Sequence, residues 1–226
     1  MGGGDRNSEM EQLLADLGRD YARALLAGDE VAAELAVRDA IDARLTTADI
    51  DDEIIAPAMW LIGRLWARGE ISVADEHLAT SISLRVLALQ REATRTARER
   101  AGRKAMLAAP AGELHTVALQ MSANLLDDAG YTALMLGPDV PFGALAEAAR
   151  RHEPDVICLT ATMADASDRV MLAIHEAQRG WPGAGFVVGG RGVSPRLRPR
   201  PGIQVCRRVS EVVEAADAAM KRADLN

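Results

Sequence analysis

Four short clusters in this sequence bring together side chains that can do chemistry. The first holds a carboxylate and an imidazole two positions apart, Glu113 and His115. The second, Leu159-Thr160-Ala161-Thr162-Met163, offers two hydroxyls on alternate residues. The third, Gly189-Gly190-Arg191-Gly192, opens on two glycines, which let backbone come close to whatever lies beside it. An imidazole carries a proton or ligates a metal, and a hydroxyl both donates and accepts hydrogen bonds. The fourth cluster sits apart, in the first half of the chain: Trp66, nine residues, then Glu76-His77. A flat indole next to an acid and an imidazole can contact a nucleoside, by stacking and by hydrogen bonds to ribose hydroxyls.

Taken singly, each cluster has a plainer reading. A lone histidine at a helix start is ordinarily a capping or surface residue, and Gly-Gly after a strand is ordinarily a turn. A tryptophan at a helix end is ordinarily core, with Glu-His merely exposed helix. His152 and His175 fall on helical stretches and read as solvated. The basic runs 95–104 and 191–202 read as solvated faces and loops. The scaffold has to decide between these readings.

Hydrophobic residues make up 49% of the 226 and aromatics only 3%, so the core must be aliphatic and alanine-rich, which favours closely packed helices. Residues 1–8 read as a disordered tail, without the apolar core of a signal peptide. Over 9–98 the apolar spacing is helical and β signal is almost absent. Four stretches stand out there: 10–28, 29–45, 47–69 with Thr47 or Asp49 as N-cap, and a last one opened by Ser72 with Asp75 three residues on. Short connections between them predict an antiparallel four-helix bundle. From 104 to 226 strand and helix alternate five times, with a helix expected over Glu113–Ala129 after the first strand. The fold class is therefore α/β: an N-terminal four-helix bundle, then a five-stranded flavodoxin-like parallel sheet of the Rossmann type. In such sheets ligands sit beyond the carboxyl ends of the strands, and the first three clusters fall there.

The net charge of −7 argues against general nucleic-acid binding. The two cysteines, Cys158 and Cys206, lie in apolar or strand-like contexts, as in a reduced, cytoplasmic protein. No run is long enough to span a bilayer, so no membrane is expected.

The spacing of the clusters now carries information. Between Ala118 and Thr160 lie 41 residues, and between Thr162 and Gly189 lie 26. This resembles the cobalamin-binding motif Asp-x-His-x-x-Gly, about 41 residues, Ser-x-Leu, about 26 to 28 residues, Gly-Gly. Here Glu113 stands for Asp, Ala118 for Gly, and Thr160-Ala161-Thr162 for Ser-x-Leu. The resemblance implies that His115 is the lower axial ligand of cobalt and that Glu113 accepts from its other ring nitrogen. It implies that the displaced nucleotide tail enters a slot where Thr160 and Thr162 hydrogen-bond it and Gly189-Gly190 admit it. Ala118 adds a methyl beside that tail.

Trp, nine residues, then Glu-His resembles the light-sensing adenosylcobalamin photoreceptors of the CarH type. By that resemblance Trp66, Glu76 and His77 cap the upper cofactor face and contact the 5′-deoxyadenosyl group. Two features depart from it. Only the short segment 1–8 precedes the bundle, where that family carries a MerR-type DNA-binding domain, so direct DNA binding is not expected. Ala67 stands where the family has the histidine that ligates cobalt after photolysis. A related group, the photocobilins, shares this plan and also binds a bilin, so biliverdin is a minority expectation. The resulting expectation is a light-sensing module and not an enzyme, loaded with adenosylcobalamin. It would signal through a homo-oligomer, a dimer foremost, or a separate effector protein after light breaks the cobalt–carbon bond. The alternative is a corrinoid methyl-carrier protein of a methyltransferase system.

Overall fold

The computed structural model describes residues 4–94, 102–163 and 166–220, and it divides into two compact units, Met1–Arg95 and Thr96–Asn226. Of the stretch 91–104 that joins the two halves, residues 95–101 lie outside the described residues, as does the end of the last expected helix beyond Met220.

The first unit is helical throughout. Helix α1 (Gly4–Ala27) starts inside the stretch 1–8 that the sequence reads as a disordered tail. Gly28, at φ +65, stops α1, and Asp29 caps α2 (Glu30–Asp42) by accepting from the Ala32 N–H. The next cap is Thr46, one residue before the expected Thr47 and not Asp49. Asp49 is instead the third residue of the capping box: its carboxylate accepts from the Thr46 N–H at 3.1 Å while Thr46 Oγ1 accepts from the Asp49 N–H. Helix α3 (Thr47–Ile50) runs through a π turn (Asp51–Ile55) into α4 (Ala56–Ala67). Gly69 then turns the chain at φ +71. Ser72 opens α5 (Val73–Thr94) as expected, its N–H and hydroxyl donating to Asp75 Oδ2 at 2.8 and 2.7 Å. Those bonds hold the Asp75 carboxyl below its ordinary range. The core is aliphatic, built around Leu25, Ile54, Ile62, Ile82 and Leu87, and it holds a buried polar chain in which Tyr21 donates to Ser83 at 3.0 Å and Ser83 to Met59 Sδ at 3.1 Å.

The second unit is a parallel sheet in the order β2-β1-β3-β4-β5, the flavodoxin-like order predicted. Its strands are β1 (Lys104–Pro110), β2 (Thr132–Val140), β3 (Val156–Thr160), β4 (Gly185–Gly189) and β5 (Ile203–Val205). The helices are α6 (Val117–Asp128), α7 (Phe142–His152), α8 (Ser167–Gly180) and α9 (Val212–Met220). β1, β3 and β4 are near-continuous apolar runs because both of their faces are covered. α7 and α8 pack together on one face, over Met106, Ile157, Leu159 and Phe186, while α6 and α9 pack together against the strands. At the amino edge, Arg103 lies over the Tyr131 ring, and both bond Asp217 Oδ1 at 2.5 Å, tying β1 and β2 to α9. Cys158 and Cys206 are buried free thiols. No helix among the described residues is long and apolar enough to cross a membrane.

α6 begins at Val117, not at the expected Glu113. Gly112, at φ +83, turns the chain sharply out of β1, and Glu113 is engaged by groups outside any helix.

Candidate functional site

Glu113 organises the carboxyl end of the sheet. Its N–H donates to the Pro110 carbonyl at 2.9 Å, which folds the side chain inward until the residue is only 1% exposed. Both carboxylate oxygens are used. Oε1 accepts from the His115 N–H at 3.1 Å and pairs with His115 Nδ1 at 2.5 Å. Oε2 accepts from the backbone N–H groups of Thr162 at 2.6 Å and Met163 at 3.1 Å. Burial alone would raise this carboxyl. The His115 ring and the three backbone N–H groups outweigh burial and bring it down to about 2. Glu113 is therefore ionised and can only accept. In the neutral ring this favours the proton on Nδ1, facing the carboxylate, and leaves the lone pair on Nε2. The imidazole side chain is 35% exposed, flanked by the exposed apolar side chains of Leu114 and Met163. An imidazole oriented in this way on an apolar rim is suited to ligating a metal that brings its own hydrophobic frame.

The other two clusters meet at the same edge. Thr160 and Gly189 are register partners at the ends of β3 and β4. The Thr160 hydroxyl is buried and has no hydrogen-bond partner among the described residues. Burying a hydroxyl this way costs about 1–3 kcal/mol, which a polar ligand atom there would recover. Thr162 is half-buried and meets Glu113 through its backbone N–H, a contact that its side-chain type does not announce.

The glycines serve the protein first. A Cβ on Gly190, which sits at φ +100, would fall on the Ala161 carbonyl, and one on Gly192 would fall on the Met163 carbonyl. The Ala161 N–H donates to the Gly189 carbonyl at 3.0 Å, and the Gly192 N–H to the Ala161 carbonyl at 2.9 Å. The close approach is thus between the loops after β3 and β4. Gly189 is the tolerant member, since its Cβ would meet Cys206 Cβ at an ordinary 3.7 Å. Gly192 is a supporting residue outside the cobalamin-binding motif; the third glycine of Gly-Gly-x-Gly was the available signal. Ala118 is the second residue of α6 and half-buried, and alanine suits a helix better than the glycine it replaces.

The bundle unit carries the fourth cluster. Trp66, next to last in α4, is 38% exposed and so is not a core residue. The Glu76 carboxylate accepts from Thr80 Oγ1 at 3.0 Å and pairs with His77 Nδ1 at 2.6 Å, so it is held from two sides while the His77 ring lies in solvent. Ala67, the last residue of α4, is exposed. His152 and His175 are exposed on α7 and α8.

Residues 103–217, half of the chain, match the family model of the B12 binding domain, and residues 17–89 match a second model of the same description. The chain is 31% identical over 173 residues to the HTH-type transcriptional repressor CarA of Myxococcus xanthus, covering 76% of this chain and 57% of that protein. It is 29% identical over 143 residues to the HTH-type transcriptional repressor CarH of the same organism, covering 62% and 47%. The chain thus spans about half the length of the curated relatives it matches. Among solved structures, the monomethylamine corrinoid protein of Methanosarcina barkeri matches with a TM-score of 0.68 at 18% identity, over 91% of this chain and 98% of that one, a likeness of fold.

Proposed function

The protein belongs to the B12-binding domain family and binds cobalamin, and from that premise we propose that it is an adenosylcobalamin-dependent light sensor rather than an enzyme. Its own residues fit the group. His115 offers Nε2 as the lower ligand, Glu113 fixes that ring, and the orphan Thr160 hydroxyl faces a need that the nucleotide tail would meet. When bound, the cofactor supplies a cobalt–carbon bond that green light can break.

The observation that carries the light-sensing reading is the bundle's exposed indole. Trp66 keeps 38% of its surface open, and the bundle also presents a carboxylate fixed by Thr80 and His77. An indole stacks on an adenine, and a fixed carboxylate accepts from ribose hydroxyls. A methyl carrier needs an open upper face instead, which this residue set does not favour. Ala67 supplies no imidazole, so the proposal includes no second histidine ligand from that position. Release of the adenosyl group would remove what Trp66 and Glu76 bind, and the signal would pass to an oligomer, a dimer foremost, or to a separate effector.

Dark purification with adenosylcobalamin, followed by spectra before and after green light, tests this. The expected result is a stable dark spectrum, then a persistent protein-bound photoproduct, with affinity for the adenosyl form lost in Trp66→Ala and affinity for hydroxocobalamin kept. Equal loss for both forms in Trp66→Ala, or methyl transfer with a methyltransferase partner and no lasting photoproduct, would point to the carrier instead. An additional bilin absorbance after loading with biliverdin would extend the reading to a second chromophore.

A further inference from the structure

Arg169 stands on the same rim as His115, outside the cobalamin-binding motif. It is half-buried in the first turn of α8. Its guanidinium rests on Gly112: Nη1 lies 2.9 Å from the point a Cβ of residue 112 would occupy. Gly112 turns the chain immediately before Glu113 and is three residues from His115. The carboxylate of Asp139 next to it accepts the Gly112 N–H at 2.7 Å. Among the described residues, Arg169 makes no hydrogen bond and no ion pair. Other arginines of this unit are engaged: Arg103 bonds Asp217 and Tyr131, and Arg207 bonds the carbonyls of Ser194 and Leu197.

A guanidinium carries five donors in a flat fork, and partial burial makes it costly to leave them without acceptors. Gly112 supplies a bare floor beneath it, which any side chain would push away. The ligand set for the rim is chemically restricted. Cobalamin presents amide carbonyls around its ring and one phosphodiester in its tail, and both kinds of oxygen accept from a guanidinium.

We propose that Arg169 contacts the corrinoid, donating from its perch on Gly112 to an acceptor oxygen of the cofactor ligated by His115. The inference rests on the cobalamin reading of the sheet unit and adds a residue outside the motif. It makes Arg169 a determinant of affinity, with Gly112 as its support.

Absorbance titrations separate the possibilities. Hydroxocobalamin and dicyanocobinamide, which lacks the tail and its phosphate, are titrated into wild type, Arg169→Ala and Arg169→Lys. Arg169→Ala is expected to weaken cobalamin binding roughly ten- to a hundred-fold, with Arg169→Lys between the two and the melting temperature of the cofactor-free protein unchanged. An equal loss with cobinamide assigns the acceptor to a ring-edge carbonyl. A loss confined to cobalamin assigns it to the phosphate. Wild-type affinity of Arg169→Ala for both corrinoids overturns the inference and leaves the cobalamin reading standing. Weak binding with an equally lowered melting temperature in both variants marks a folding role and also overturns it. Wild-type protein that takes up neither corrinoid overturns both readings.

Discussion

His115 Nδ1 lies 2.5 Å from the Glu113 carboxylate, and the same carboxylate reaches the loop after β3, 49 residues downstream, through the Thr162 N–H. One buried anion therefore sets the direction of an imidazole and the path of a second loop. Glu113→Gln keeps the shape but replaces one acceptor oxygen with a donor, which then faces either the His115 ring or two backbone N–H groups. Such a variant is expected to lose on the order of 3 kcal/mol of stability and about ten- to a hundred-fold in corrinoid affinity. Urea denaturation and absorbance titration measure the two effects. Wild-type values in both would show that the carboxylate organises nothing.

Acid should expose the same group. The folded carboxyl titrates at about 2 and the free one at 4.5, so on acidification the unfolded chain takes up this proton first. The contribution of Glu113 is complete above about pH 4.5 and drains away as pH falls toward 2, by about 3 kcal/mol in total. Unfolding free energies at pH 5, 4 and 3 should fall more steeply for wild type than for Glu113→Gln. Parallel curves would mean that the carboxylate is not held in its ionised form by the fold.

How far the sequence disclosed this arrangement depends on what kind of contact each residue makes. The strands were legible because Ala105–Ala109, Val156–Leu159 and Phe186–Val188 are buried on both sides and must be apolar throughout. The four helices were legible from apolar spacing, and Ser72 from its Asp75 partner. Thr46 was hidden by Thr47, since two adjacent threonines offer the same cap and only the reach of Asp49 chooses between them. The π turn has no periodic signature. At the site, Glu113 and His115 were found by type and spacing. The binding of Glu113 to the Thr162 and Met163 backbone was not, because an N–H donor is present at almost every residue. Arg169 was missed for a related reason: its place on Gly112 comes from the packing of α8 beside the β1 loop and follows no spacing rule.

The thiols provide a check on the sheet core. Burial pushes the Cys206 thiol up to about 12, with Glu211 adding to the effect, and burial with nearby Cys206 pushes Cys158 higher still. At pH 8 neither is a thiolate, and neither is reachable. Folded protein should therefore react with neither equivalent of a disulfide reagent such as DTNB, and both should react once urea is added. Fast labelling of one thiol under native conditions would show that β3 or the end of β5 opens readily.

The loop after β4 tests whether the glycines serve the ligand or the protein. Gly190 combines φ +100 with a Cβ position on the Ala161 carbonyl, while Gly192 is blocked by the Met163 carbonyl alone. Alanine at either position must push the two loops apart, at a cost of about 1–3 kcal/mol for the overlap and about 1–2 kcal/mol more at Gly190 for the left-handed backbone. Met163 donates its N–H to Glu113, so the displacement also loosens the carboxylate that orients His115. Gly190→Ala and Gly192→Ala should thus lower both stability and corrinoid affinity. Gly189→Ala has room beside Cys206 and should leave stability within about 0.5 kcal/mol of wild type. If Gly189→Ala keeps wild-type stability but loses affinity, its bare Cα lies against the cofactor itself. If it keeps both, the demand for glycine in this loop comes from the protein's own backbone. Chemical denaturation beside corrinoid titration for the three variants decides between these outcomes.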